Sequence, residues 1–211
     1  MKLYSDYLKE KYGCKVYRIA IDAGFRCPGR CIYCNDNGSR ASYINPKNSV
    51  EEQLGKRIGH LKETKDAKKF IAYFQAFTNT NASVNKLKEA YDSILNFKDI
   101  VGLSIGTRPD AIDSEKLKLI ASYKDRYEVW IEYGLQSIHD DTLKLIKRGH
   151  SFDDFLRAVK LTRESGIPVC AHVILGLPGE NKGDMMATAG RLKDLNIEGI
   201  KIHPLHILKG S

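Results

Sequence analysis

The 211 residues, 42% hydrophobic and 28% charged, suffice for one domain with a buried core that needs neither disulfides nor a structural metal. No apolar run approaches the ~20 residues of a bilayer-spanning helix. The opening MKLYSDYLKEKYGCK lacks the apolar stretch of a secretory signal, so a cytoplasmic protein without membrane association is expected. The formal charge of +8 admits an acidic partner such as nucleic acid, but lysines such as Lys62, Lys65, Lys68 and Lys69 are scattered as on a solvated face.

VYRIAID (Val16 to Asp22) reads as a strand and leads into the loop GFRCPGRCIYCN (Gly24 to Asn35). A helix begins near Val50, where Ser49 and Glu52 have the spacing of a capping box. KKFIAYF (Lys68 to Phe74) is a second strand, followed by a helix over about Ser83 to Asn96 and a third strand, IVGLSIG (Ile100 to Gly106). In the TRPD that follows, Pro109 biases Arg108 away from helix, which marks a turn. A helix around Asp113 to Tyr123 precedes the fourth strand, YEVWIEYGL (Tyr127 to Leu135). One helix then runs from Asp140 to a left-handed cap at Gly149, and another from Phe152 to Ser165, with Phe152, Phe155, Leu156 and Val159 on one face. PVCAHVILG (Pro168 to Gly176), a helix over about Lys182 to Leu195 and GIKIH (Gly199 to His203) complete the pattern.

Six strands alternating with helices imply a parallel sheet with right-handed connections, whose site assembles from loops at the carboxyl ends of the strands. The cysteine loop follows the first strand and so lies beside TRPD, GLQS, GLPGE and HPLH. Periodicity does not separate an open doubly wound sheet from a barrel, and six units are too few for the complete eight-fold one.

Of five cysteines, Cys27, Cys31 and Cys34 crowd into eight residues, a poor disulfide framework and a good metal or redox cluster. Thiolates suit zinc, copper(I) or iron-sulfur clusters. Structural zinc takes four protein ligands, and the nearest histidine, His60, lies beyond a helix. Cys170, inside the apolar run IPVCAHVILGLP, is expected to be a small buried hydrophobe.

C-x3-C-x2-C with Tyr33 before the last cysteine resembles the signature of the radical S-adenosylmethionine (SAM) superfamily, and the resemblance extends along the chain. It implies an α/β fold, an incomplete (βα)6 TIM-like barrel forming one domain over residues 1–211. It further implies a [4Fe-4S] cluster held by Cys27, Cys31 and Cys34, whose unligated iron binds SAM. Reductive cleavage of SAM then gives methionine and a 5'-deoxyadenosyl radical that abstracts hydrogen from substrate. A reducing partner such as flavodoxin or ferredoxin is implied as well.

The same resemblance gives the SAM contacts. Gln75 and Ala76 stand where relatives commonly carry a glycine-glycine-glutamate segment, and there serve through backbone. In EYGLQS, Glu132, Gln136 and Ser137 are candidates, Gln136 for the ribose hydroxyls. Arg148 matches the SAM carboxylate or is a cation at a helix end. Tyr33 and the backbone at Gly176 and Leu205 are expected at the adenine.

AYFQAFTNT, GTRPD, EYGLQSIHDDTLKLIKRGH, CAHVILGLPGE and GIKIHPLHILKGS are similar to the YhcC-like branch of that superfamily. The chain departs from it in the short gap between the first two cysteines and in stopping at KGS. Among compact relatives the resemblance points to a queuine lyase, which cleaves queuine to 7-aminomethyl-7-deazaguanine. Modification of tRNA itself, or a non-catalytic iron-sulfur carrier or scaffold, are the alternatives.

Strand ends also offer Asp22, Asn79, Arg108, Asp110, His172, His203 and His206, a polar set suited to a heterocycle or diol. Asp22, Arg108, His172 and His203 are the candidate catalytic residues, and a guanine-like edge would want a carboxylate from Asp22, Glu132 or Asp110. Each has a plainer reading: Arg108 and Asp110 fix the TRPD turn, and strand-end histidines bond backbone carbonyls. The unpaired edge of the last strand leads us to expect a homodimer whose second subunit closes the mouth.

Overall fold

The structure, a computed structural model, describes residues 2–35 and 40–207; residues 208–211 of the last family phrase lie outside that range. A helix absent from the sequence reading comes first. α1 (Tyr4–Tyr12) fully buries only Leu8, too little for apolar periodicity to reveal it. It packs instead through aromatic residues: Tyr4 meets Trp130 edge-on at 5.5 Å, and the Tyr12 hydroxyl donates to Val101 O and Glu128 at 3.3 and 3.2 Å.

The rest alternates as expected. β1 (Val16–Ile21), α2 (Val50–Lys65), β2 (Lys69–Phe74), α3 (Val84–Asp92), β3 (Ile100–Thr107), α4 (Ser114–Ala121) and β4 (Glu128–Gln136) come in order. They are followed by α5 (Asp140–Leu145), α6 (Phe152–Glu164), β5 (Val169–Leu175), α7 (Lys182–Asp194) and β6 (Gly199–Pro204). The capping box of Ser49 and Glu52 is present at the start of α2. α3 gives way to a 3-10 turn over Ser93–Asn96 rather than running through.

α5 ends four residues before Gly149. Lys147 enters the left-handed region at φ 53°, and Arg148 N–H bonds back to Leu143 O at 2.9 Å. The positive φ expected of Gly149 is there, but in the turn beyond the helix.

Each strand pairs in parallel with the next, in the order β1-β2-β3-β4-β5-β6. The sheet curls into an incomplete barrel. Lys201 of β6 reaches the Tyr73 hydroxyl of β2 at 3.4 Å, whereas four strand spacings in a flat sheet would separate those strands by about 19 Å.

The strands' period of two decides what faces where. Ile19, Ile21, Phe70, Phe74, Leu103, Ile105, Val129, Ile131, Val169 and Val173 point outward and form the core with the helices. Burying each such side chain is worth about 2 kcal/mol. The alternate positions point into the barrel, and many are polar: Arg18, Tyr73, Ser104, Glu132, His172 and Lys201. On the outer face of β6, Ile200 and Ile202 are 44% and 58% exposed among the described residues.

Candidate active site

The cysteine loop is fastened where it leaves β1. Asp22 exchanges two hydrogen bonds with Gln53 of α2, its N–H to Oε1 at 2.9 Å and its carbonyl from Nε2 at 2.8 Å. Its carboxylate accepts from Gly24 N–H at 2.9 Å and from Arg40. Farther along, Ile32 N–H bonds to Ile146 O at 3.1 Å, which ties the loop to the turn after α5.

Cys27, Cys31 and Cys34 lie on one wall of a cavity of about 580 Å³. Thr78 donates to Cys27 Sγ at 3.1 Å, while burial pushes the Cys27 thiol up. Arg148 donates to Cys31 Sγ at 3.5 Å and to Gly134 O through Nε and Nη2, at 3.1 and 2.7 Å. Tyr33 and Gln136 also line the cavity. Gln136 has φ 74° at a register irregularity between Gly134 and Gln136, which re-aims the end of β4.

The barrel interior forms the cavity's deeper wall. Glu132, 3% exposed, accepts from Arg18 and Ser104 at Oε1 and bonds His172 Nε2 at 2.7 Å through Oε2. These partners hold its carboxyl well below the usual range against the opposing effect of burial. His203 lies 5.7 Å from His172, ring centre to ring centre, and burial with Lys201 pushes it down to about 4. Tyr73 lies between two cations, Arg18 at 3.9 Å and Lys201 at 5.1 Å from its ring centre.

Of the residues expected from sequence, Tyr33, Gln75, Glu132, Gln136, Arg148, His172 and His203 line this cavity with the three cysteines. Others stand off it. Asp22 is spent on the loop anchor, and Arg108 makes a two-point pair with Asp110 at 2.8 and 2.6 Å, the turn-fixing alternative. Ser137 donates to Glu180 and accepts from His139 N–H at 3.0 Å. Ala76 is buried behind Gln75 in sequence, Gly176 turns the GLPGE loop at φ 82°, and Leu205 gives its N–H to Leu175 O at 2.9 Å.

Cys170 corrects an expectation. It shares the inward parity of His172 and sits beside it and Glu132, their ligand atoms within 4.8 Å of one another. A metal cation there would compete with the Arg18 guanidinium, and Lys201 repels it too. Arg18, Tyr73 and Lys201 were missed, although Lys201 and His203 at alternate positions of GIKIHP, and the lone Arg18 among the apolar residues of VYRIAI, mark an inward polar face.

Residues 21–192 match the model of the Radical SAM superfamily, and the chain belongs to that superfamily. It is 44% identical over 99% of its length to protein MJ0486 of Methanocaldococcus jannaschii, and 40% identical over its whole length to protein YhcC of Escherichia coli K12. Within the superfamily it is a member of the YhcC-like branch. It spans about two thirds of those relatives, 66% of MJ0486 and 70% of YhcC. The structure of methylornithine synthase (PylB) matches 96% of this chain and 58% of that one with a TM-score of 0.69 at 12% identity, a likeness of fold.

Members of this superfamily use a [4Fe-4S] cluster and SAM, and the residues present fit the cluster. Among the described residues, the close group of metal-ligand atoms is Glu132, Cys170 and His172, not the loop thiols. The three thiols do not all lie within 4.8 Å of one another, which suits a cluster of several irons better than a single ion. Arg148 beside Cys31 supplies a cation against their negative charge.

Proposed function

We propose that this chain is the catalytic barrel of a radical SAM enzyme acting on a small polar group held beneath the cysteine loop. The observation that carries this reading is that the three thiols open onto the same 580 Å³ cavity as Glu132, His172, Lys201 and His203. A mere electron carrier would need no such wall. When bound, the cluster and SAM supply a 5'-deoxyadenosyl radical. Cys27, Cys31 and Cys34 hold the cluster, Arg148 meets the SAM carboxylate, and Gln75, Gln136 and Tyr33 take the rest of the cofactor. Glu132 fixes the His172 ring, and His172 and His203 face the substrate. The electron donor is a flavodoxin or ferredoxin. A second copy covers Ile200 and Ile202 at the β6 edge, which sedimentation velocity tests.

Queuine enters the substrate panel first on family resemblance. Among the described residues Glu132 is the carboxylate on the cavity wall, and it already accepts from Arg18, Ser104 and His172, which leaves little for a guanine-like edge. The second reading is a nucleoside within tRNA, favoured by the +8 charge and by Arg26 and Arg30 at the cavity wall. The test incubates reduced, cluster-loaded protein and SAM with queuine or with bulk tRNA and follows substrate mass. Release of the aminomethyl base supports queuine cleavage; a mass change confined to digested tRNA supports the second reading. No change in either rejects both substrates.

A further inference from the structure

Among the described residues, the inward-facing strand positions carry more positive than negative charge, and Lys201 is the cation there with no carboxylate in contact. Arg18 and Glu132 pair with each other. Lys201, beside His172 in the β5–β6 register, has as its hydrogen-bond partner the Tyr73 hydroxyl at 3.4 Å. Among the described residues no carboxylate lies within 4.0 Å of its ammonium. Arg148 is engaged by Gly134 O and Cys31 at the other wall.

Burial lowers the Lys201 pKa, as expected of a cation removed from water without a full partner. His172 and His203 are also pushed down, by burial first, so both rings are neutral and add no charge of their own. Glu132 and the Tyr73 ring favour that charge without contacting it as a counterion, and an anion arriving beside it would stabilise it further.

We propose that Lys201, with His203 beside it, binds an anionic group of the substrate, a carboxylate or a phosphate. The ammonium supplies a point charge that either acid accepts, and the His203 ring supplies a second hydrogen-bonding atom. This rests on the reading of the cavity as a substrate site. It makes the substrate an acid, whether free or part of a nucleic acid, and it sets queuine, which has no acidic group, against the panel's anionic members.

The test is titration calorimetry on the cluster-loaded protein saturated with SAM, so that the SAM carboxylate is already placed. The probes are malonate, inorganic phosphate and uncharged malonamide. Malonate or phosphate should bind, malonamide should not, Lys201→Met should weaken the anion at least tenfold, and Lys201→Arg should recover most of the loss. SAM affinity should be equal in all three proteins. A preference for malonate identifies a carboxylate, the reverse a phosphate. Anion binding unchanged in Lys201→Met, no anion binding by the wild type, or SAM affinity falling in parallel would each overturn the assignment. Failure of the wild type to cleave SAM would instead sink the enzyme reading and leave anion binding to be judged on its own.

Discussion

Arg148 donates to Cys31 Sγ at 3.5 Å while the same guanidinium grips the carbonyl of Gly134 at 2.7 Å. One side chain thus couples the cysteine loop to the end of β4. The geometry depends on glycine at position 134, because a Cβ there would lie 2.5 Å from Arg148 Nη2 and 2.8 Å from Gln136 Nε2.

Gly134→Ala should therefore reproduce the defect of Arg148→Met although it removes no functional atom. Both should weaken SAM binding to the loaded protein about tenfold, and the double variant should be little worse than either single one, as expected of residues acting as a unit. Additive losses in equilibrium dialysis would separate the two residues.

The cysteines divide into two kinds. Cys170 is pushed up to about 12 by burial and by Glu132, so it stays a thiol and a poor ligand at neutral pH. Cys170→Ala should keep the wild-type iron content after anaerobic reconstitution, while alanine at Cys27, Cys31 or Cys34 should each lose most of it. Iron and sulfide assays on the four variants read this directly.

Glu132 anchors the barrel interior. Removing its charge leaves Arg18, partly buried beside Ser104, without a counterion, and Glu132→Gln should cost about 3 kcal/mol in urea unfolding. Pairing it with Arg18→Met should recover part of that loss. A double variant as unstable as the sum of the singles would argue against the pair.

His150 makes stability depend on acid. Burial and the neighbouring Arg148 push it down to about 4, from an ordinary value of 6.5. Between those values the unfolded chain binds a proton that the folded chain refuses, so stability is intact above pH 6.5 and falls as the pH drops towards 4, by up to about 1.4 kcal/mol per pH unit. His172 shifts in the same direction and adds to the slope. Urea midpoints at pH 7 and pH 5 should differ less in His150→Gln than in the wild type.

The strand-helix alternation and the cysteine loop were legible because each has a local signature: period two, period 3.6, and fixed ligand spacing. α1 was not, since Tyr4 and Tyr12 work by reaching the barrel's inner and lower residues rather than by repeating along one face. Asp22 and Arg108 sit at strand ends as expected, but which way such side chains turn depends on Gln53, Arg40 and Asp110, partners that strand periodicity does not reveal. Cys170 and Lys201 were within reach, because the parity that sends Val169 and Ala171 to the core sends their neighbours inward.

The most direct measurement is the yield of 5'-deoxyadenosine and methionine from SAM, by mass spectrometry, after anaerobic reconstitution and reduction with dithionite. Both products are expected from the wild type and neither from Cys31→Ala. A fully clustered wild-type protein that releases neither would contradict the enzyme reading.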